Sequence, residues 1–215
     1  MTEAAIERLE VTRSDWGFTM NAYIVRDPAT NATAIVDPGA EPERLLAAAG
    51  DKVAQIWITH SDFDHVSSLA DVRQATGAPV VGHPLDADRV PGGLDVNVSH
   101  GYMFSLGRQD VCVLFVPGHT PGHVVYVVGK QVLGGDVLFP GGPGHTDTPE
   151  DFETLVHSIA AHLLTLDDDV TVYPGHGEPV TIGQAKAEYA AFLQRNPPAD
   201  LYGDVTWLGA EGGAE

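Results

Sequence analysis

Four short stretches of this chain gather side chains that hold metal ions. His60-Ser61-Asp62-Phe63-Asp64-His65 puts four potential ligands into six residues, and Gly118-His119-Thr120-Pro121-Gly122-His123 adds two imidazoles. Gly134-Gly135-Asp136 supplies a carboxylate and Pro174-Gly175-His176-Gly177 a further imidazole. Each stretch has an ordinary reading on its own, as a histidine left at a strand end or an Asp in a glycine turn. Together that reading fails, because four ligand-bearing loops would have to follow four apolar runs by accident. Loops at strand ends can meet at one point. Imidazole mixed with carboxylate suits zinc, iron or manganese rather than calcium or magnesium.

The elements that must position these loops show as alternating β and α signals. Residues 21–25 and 32–36 are β-branched runs separated by the turn Asp27-Pro28-Ala29-Thr30-Asn31, and 41–49 read as a helix stopped by Gly50. Residues 53–59 form the strand that delivers the chain into His60. A helix over 66–76 ends at Gly77, and 79–82 is a short buried strand. After a loop over 84–101, hairpins are expected over 103–116 and 124–133. A helix then begins at Thr148 as N-cap, with Pro149 in its first turn and Asp151 three residues after the cap. Its apolar face, Phe152, Leu155, Val156, Ile159, Leu163 and Leu166, keeps helical spacing. A strand over 170–173 and a last helix over 184–195 complete the order. This predicts an α/β fold of two mixed sheets packed face to face with helices outside. It forms one domain over 1–208, with a flexible tail over 209–215.

The chain has 215 residues, of which 30 are acidic and 11 basic, for a formal net charge of −19. Such acidity argues against nucleic acid and membrane as partners, since both are bound through basic patches. A hydrophobic share of 43% is enough for a core, and 19% charged is too little for a disordered chain. Cys112 is the only cysteine, so neither an intrachain disulfide nor a cysteine metal cluster can form. The first residues lack the apolar core of a signal peptide, and no apolar run reaches the ~18 residues of a spanning helix. The expectation is a cytoplasmic protein acting on a small molecule, its oligomeric state open, a homodimer included.

With its loops in place, the chain resembles the metallo-β-lactamase superfamily of metal-dependent hydrolases, whose first motif reads His-x-His-x-Asp-His. The later His, Asp and His loops match in order and approximate spacing, over nearly the whole chain. The stretches 118–123 and 173–177 are most similar to small glyoxalase-II-like members. The resemblance implies the four-layer αββα sandwich of that family and two divalent ions, zinc first, with iron or manganese as alternatives. It also implies cleavage of a small ester, thioester or lactone by a metal-bound hydroxide. It assigns His60, residue 62 and His119 to the first ion and Asp64, His65 and His176 to the second, with Asp136 bridging. Asp64 would also be catalytic, hydrogen-bonding the nucleophile. His123 corresponds to a position that is not a ligand.

Position 62 departs from the motif, because it is Asp where the family has its second histidine. With two divalent ions, one hydroxide and two aspartates the usual site keeps a charge of about +1; a third aspartate takes it to about 0. A less positive site acidifies bound water less, and an oxygen ligand favours harder ions. Three arrangements follow, of which the first is the leading one: Asp62 completes a dinuclear site. In the second it weakens the first position, leaving one ion on Asp64, His65, Asp136 and His176. In the third it stays free, and His60, His119 and Asp136 form the two-histidine, one-carboxylate set of non-haem iron oxygenases, which resembles persulfide dioxygenases. A non-catalytic metal-binding member is a further alternative.

Glyoxalase-II-like members bind glutathione thioesters through basic residues late in the chain. Here only Lys186 and Arg195 follow Lys130, so an anionic glutathione moiety finds few partners unless an earlier arginine reaches the site. Where such members often carry Arg before a Thr-Asp pair, this chain has His145 before Thr146-Asp147, which makes His145 the candidate substrate contact.

Overall fold

A computed structural model describes residues 2–208, which build two six-stranded sheets. The first holds β1 (Ala5–Val11), β2 (Met20–Arg26), β3 (Thr33–Val36), β4 (Val53–Trp57), β5 (Val80–Gly82) and β6 (Val96–Asn97), in that spatial order. The second begins with β7 (Met103–Leu106), β8 (Gln109–Phe115), β9 (Val124–Val128) and β10 (Gln131–Gly135). β11 (Leu138–Phe139) and β12 (Gly142–Pro143) form a separate hairpin. β13 (Thr171–Pro174) and β14 (Val180–Thr181) complete the second sheet beyond β10. Both sheets are mixed: β2 pairs antiparallel with β3 and β3 parallel with β4, while β10 pairs antiparallel with β9 and parallel with β13.

Alternation along the strands sorts their side chains into three cores. Tyr23, Val25, Ala34, Val36 and Trp57 of the first sheet meet Val111, Val113, Val124, Tyr126 and Val128 of the second. The intervening Ala22, Ile24, Ile35 and Ile56 face the other way. They pack against the layer of α1 (Pro42–Ala49), α2 (Phe63–Val66) and α3 (Leu69–Thr76), through Leu45, Val66, Leu69 and Val72. Behind the second sheet, Val125, Val132 and Val172 pack on α4 (Pro149–Ser158) and α5 (Ile182–Gln194) through Phe152, Leu155, Ala185 and Phe192. The layers are therefore helix, sheet, sheet, helix. Strands buried on both faces explain the continuous apolar runs.

The differences from the sequence reading have local causes. β1 was not expected, because it is an edge strand whose polar Glu7 and Glu10 face solvent. The single helix read over 66–76 is two, α2 and α3, broken at Ser67-Ser68, where Ser68 N–H donates to the Pro38 carbonyl at 3.0 Å. The helix from Thr148 is capped as expected, with Thr148 Oγ1 accepting from Asp151 N–H at 3.1 Å, and it widens into a π-type turn over Ile159–Leu163. A C-terminal strap crosses the β11–β12 hairpin: Trp207 N–H donates to the Gly141 carbonyl at 2.7 Å, and the Trp207 ring is fully buried beside Tyr189 and Phe192. No helix among the described residues is long and apolar enough to cross a membrane. The expected tail over 209–215 lies outside the described residues.

Candidate metal centre

Strand ends deliver the ligand loops to one edge of the sandwich. His60 lies just beyond β4, Asp136 directly after β10, His176 just beyond β13, and His119 in the loop from β8 to β9. Because β10 and β13 are parallel neighbours, Asp136 and His176 leave the sheet side by side, and Gly175 N–H donates to the Gly135 carbonyl at 2.9 Å. Val124 N–H donates to the Thr59 carbonyl at 2.9 Å and so ties the second sheet to the His60 loop. Two glycines keep the space open. Gly135 has φ +50°, and a Cβ there would lie 2.4 Å from Thr59 Oγ1. A Cβ on Gly175 would lie 2.2 Å from Asp136 Oδ1 and 2.4 Å from His65 Cε1.

The seven expected ligands meet in two clusters. In the first, Asp62 Oδ2 is 3.3 Å from His119 Nε2 and 3.9 Å from His60 Nε2. In the second, Asp64 Oδ2 is 3.1 Å from His176 Nε2 and 3.9 Å from His65 Nε2. Asp136 lies between them, with Oδ1 3.5 Å from His65 Nε2 and Oδ2 3.4 Å from His176 Nε2 and 3.9 Å from His119 Nε2. Within each cluster, one donor atom from each of the three residues lies within 4.8 Å of the others.

Every imidazole in the two clusters has its other nitrogen engaged. His65 Nδ1–H donates to Asp37 Oδ2 at 3.1 Å, His119 Nδ1–H to the His145 carbonyl at 2.8 Å and His176 Nδ1–H to the Thr19 carbonyl at 2.9 Å. Thr59 gives its hydroxyl proton to Asp37 Oδ2 at 2.6 Å, so its oxygen accepts from His60 Nδ1–H at 3.0 Å. These bonds fix the rings with Nε2 turned inward, the outer-shell pattern of metal-ligating histidines. The Nε2 atoms of His60, His65 and His119 and Oδ1 of Asp136 are buried without a hydrogen-bond partner. Orphaned buried atoms of this kind are costly and rare, and four gathered in two neighbouring clusters fit divalent cations.

The protonation balance agrees. Burial opposes charge on His176, yet hydrogen bonds to Asp136 and Asp64 outweigh it and lift its pKa to about 10. Burial and the neighbouring imidazoles of His65 and His123 push His60 well below the usual range. Asp136 is held ionised against its burial by His65 and His176. Ligands so opposed in their proton demand are a set that divalent cations can take over from protons.

Several contributors escaped the sequence reading. Asp37, buried and at φ +50°, accepts Thr59 N–H on Oδ1 at 2.8 Å and serves both His60 and His65 from Oδ2. Its signal was present, since Asp37-Pro38-Gly39 follows an apolar run as the ligand loops do. Asp86, also buried, accepts from Ser61 N–H at 3.0 Å, Thr120 Oγ1 at 2.9 Å and Gly122 N–H at 2.8 Å, and so staples two ligand loops together. No local pattern marks it. His123 Nε2 accepts Asp136 N–H at 3.0 Å, a supporting place rather than a ligand's. Cys112 is half-buried on β8.

A cavity of about 370 Å³ opens over His119, Asp136 and His176 and is walled by Phe139, Gly142, His145, Asp204 and Thr206. The His145 ring pairs with Asp204 at 3.0 Å. No lysine or arginine lines this cavity among the described residues. The late cations are engaged elsewhere: Lys130 with Asp169, Lys186 with Asp168, and Arg195 with the carbonyls of Thr206 and Trp207. One earlier arginine does reach the centre, Arg89, at 3.4 Å from Asp62. Beside His176 stands an aromatic wall. Trp16 and Phe18 stack at 5.2 Å, Phe63 meets both edge-on, and Phe18 lies 5.8 Å from the His176 ring.

The sequence matches a family model described as "Metallo-beta-lactamase superfamily" over residues 16–176. It is 34% identical over 206 residues to the hydroxyacylglutathione hydrolase GloC of Haemophilus influenzae, with 84% of this chain and 94% of that protein covered. The solved structure of ETHE1 from Myxococcus xanthus matches with a TM-score of 0.73 at 29% identity, over 85% of this chain and 81% of that one. TTHA1623 in a di-iron-bound form matches with a TM-score of 0.67 at 31% identity, over 83% and 96%. The matched span contains the six side chains of the two clusters and Asp136 between them, and the chain belongs to the metallo-β-lactamase superfamily.

Proposed function

We propose that this chain is a hydrolase of small thioesters, esters or lactones that works with two divalent ions. His60, Asp62 and His119 hold one, Asp64, His65 and His176 the other, and Asp136 reaches both. The observation that carries this reading is the convergence of orphaned Nε2 and carboxylate oxygen atoms on the floor of an open cavity. The likeness to a hydroxyacylglutathione hydrolase puts a thioester first among the substrates. Zinc is the first assignment, and the di-iron relative supports iron as the alternative.

Bound there, the ions would polarise the scissile carbonyl and supply an acidified water. The remaining work belongs to the chain. Asp64, its carboxylate 3.1 Å from His176 Nε2 and largely buried, orients the attacking water as a hydrogen-bond acceptor. The His145 carbonyl holds His119 in register, while the His145 ring offers a polar contact to the leaving group from the cavity wall. A lining without cations suits a neutral leaving group better than glutathione with its carboxylates. The wall of Trp16, Phe18 and Phe63 receives an apolar acyl group, since Phe18 and Phe63 are 43% and 61% exposed. Phe18→Ala is therefore expected to raise KM about 5- to 10-fold for apolar acyl thioesters, the size of a partly buried ring, with kcat within about twofold. Steady-state kinetics on an acyl-length series checks this, and an unchanged KM would remove the wall from substrate binding.

The deciding experiment is elemental mass spectrometry on protein purified without a histidine tag or chelator, followed by substrate panels. About two ions per chain, with thioester, ester or lactone turnover and no oxygen consumption, is the expected outcome. One iron per chain with oxygen uptake on a persulfide would move the assignment to a sulfur dioxygenase. Retained metal with no turnover on any panel would leave a binding protein. Asp62 lies at 3.3 Å from His119 rather than swung away, which favours the dinuclear set.

A further inference from the structure

We infer that Arg89 offsets the charge of Asp62 and holds its outer oxygen, the pair together presenting the centre with the charge and orientation of the neutral histidine that the family motif has at position 62. The inference rests on the metal-centre reading above. Asp62 is divided between two neighbours: Oδ2 faces His119 and His60, at 3.3 and 3.9 Å, and Oδ1 faces Arg89 Nη1 at 3.4 Å. The ligating histidines are held from behind by a hydrogen bond to their second nitrogen. Asp62 stands on the open rim, with its side chain 36% exposed, and the guanidinium is the group behind its outer oxygen. A carboxylate fixed on one oxygen presents the other as a single-point ligand, the presentation an imidazole Nε2 gives.

The place of Arg89 is set by the ligand loops themselves. It ends the 3-10 turn Pro84–Arg89, in which buried Asp86 is bound by Ser61 and by Thr120 and Gly122. Arg89 Nη2 approaches Asp86 Oδ1 only at 3.5 Å, whereas Asp86 has three bonds of 2.8 to 3.0 Å from those loops. Asp86 thus has its hydrogen bonds without Arg89, and the guanidinium stands between the two carboxylates, 3.4 Å from Asp62 and 3.5 Å from Asp86. Formally, Asp62 subtracts one charge from a centre built for a neutral ligand and Arg89 restores it. The arginine is half-exposed, so its effect is a screened one.

A charge cycle tests this. Wild type, Arg89→Met, Asp62→His and the double variant are loaded with cobalt(II), their metal content is measured, and azide is titrated against the visible cobalt spectrum at one pH. Asp86 is present in all four, so its charge cancels. All four are expected to hold about two ions per chain. Arg89→Met should weaken azide binding about tenfold and Asp62→His should tighten it by a similar factor, the size of one screened unit charge several ångströms away. The double variant should return to within about threefold of wild type, and Arg89→Lys, which keeps the charge, should stay near wild type. Unchanged azide affinity in Arg89→Met would overturn the proposal. So would a double variant as weak as Arg89→Met, which would mean that the guanidinium touches the anion directly. Loss of the first ion in Arg89→Met would make Arg89 a structural prop instead. Wild type that fails to take up two cobalt ions would overturn the metal-centre reading itself, and would show before any azide is added.

Discussion

Asp136→Ala is expected to lower thioester turnover by at least about 10³-fold and to leave the protein with one bound ion or none. Asp136 faces both clusters, with one oxygen toward His65 and the other between His176 and His119. No neighbouring group can replace it: the glycines on either side of its strand end, Gly135 and Gly175, have no side chains, and a Cβ at either would collide with the site. Its removal also leaves the buried Nε2 of His65 with Asp64 alone, at 3.9 Å. The backbone bond from Asp136 N–H to His123 survives the substitution, so the loop should keep its place. Asp136→Asn separates shape from charge, because it keeps the volume and loses the anion. Elemental analysis and kcat/KM measured on the same samples decide the matter. Two retained ions with turnover within about tenfold of wild type would remove Asp136 from its bridging role.

Asp37→Ala should act on stability first and on metal second. Three donors converge on this buried carboxylate: Thr59 N–H, the Thr59 hydroxyl and His65 Nδ1–H. Truncation strands all three inside the protein, and such losses cost about 3–5 kcal/mol. For a chain of this size, that corresponds to a fall in Tm of roughly 10 °C. His65 also loses the bond that fixes its tautomer, so metal affinity should fall about 10- to 100-fold. Urea unfolding with and without chelator separates the two effects. If the chelated protein unfolds at the same urea concentration as chelated wild type, Asp37 has no structural role beyond the metal.

The contrast between Asp136 and Asp37 shows where the sequence was informative. The candidate ligands carry their chemistry in their type, and their four loops follow apolar runs, so a reader of the chain meets them as a pattern. The sandwich was legible for a similar reason, because strands such as 21–25 are apolar on both faces and can only lie between two layers. Asp37, Asp86 and Arg89 owe their roles to partners distant in the chain. Asp37 serves His65 across 28 residues, Asp86 serves Gly122 across 36, and Arg89 faces Asp62 across 27. Asp37 ends an apolar run as the ligand loops do, but nothing near it, or near Asp86 or Arg89, says which side chain each one serves. The role of the His145 carbonyl was hidden more deeply still, since a backbone acceptor has no residue type to recognise.

The strap over 201–208 has a bearing on how such a protein diversifies. All seven candidate metal-binding side chains lie at or before residue 176, whereas the outer wall of the cavity is built by Asp204, Val205 and Thr206, anchored through Trp207. One part of the cavity wall is thus written apart from the stretches that build the centre. Substitutions in the strap can therefore reshape the mouth of the cavity while leaving the seven clustered side chains and the bonds that hold them unchanged.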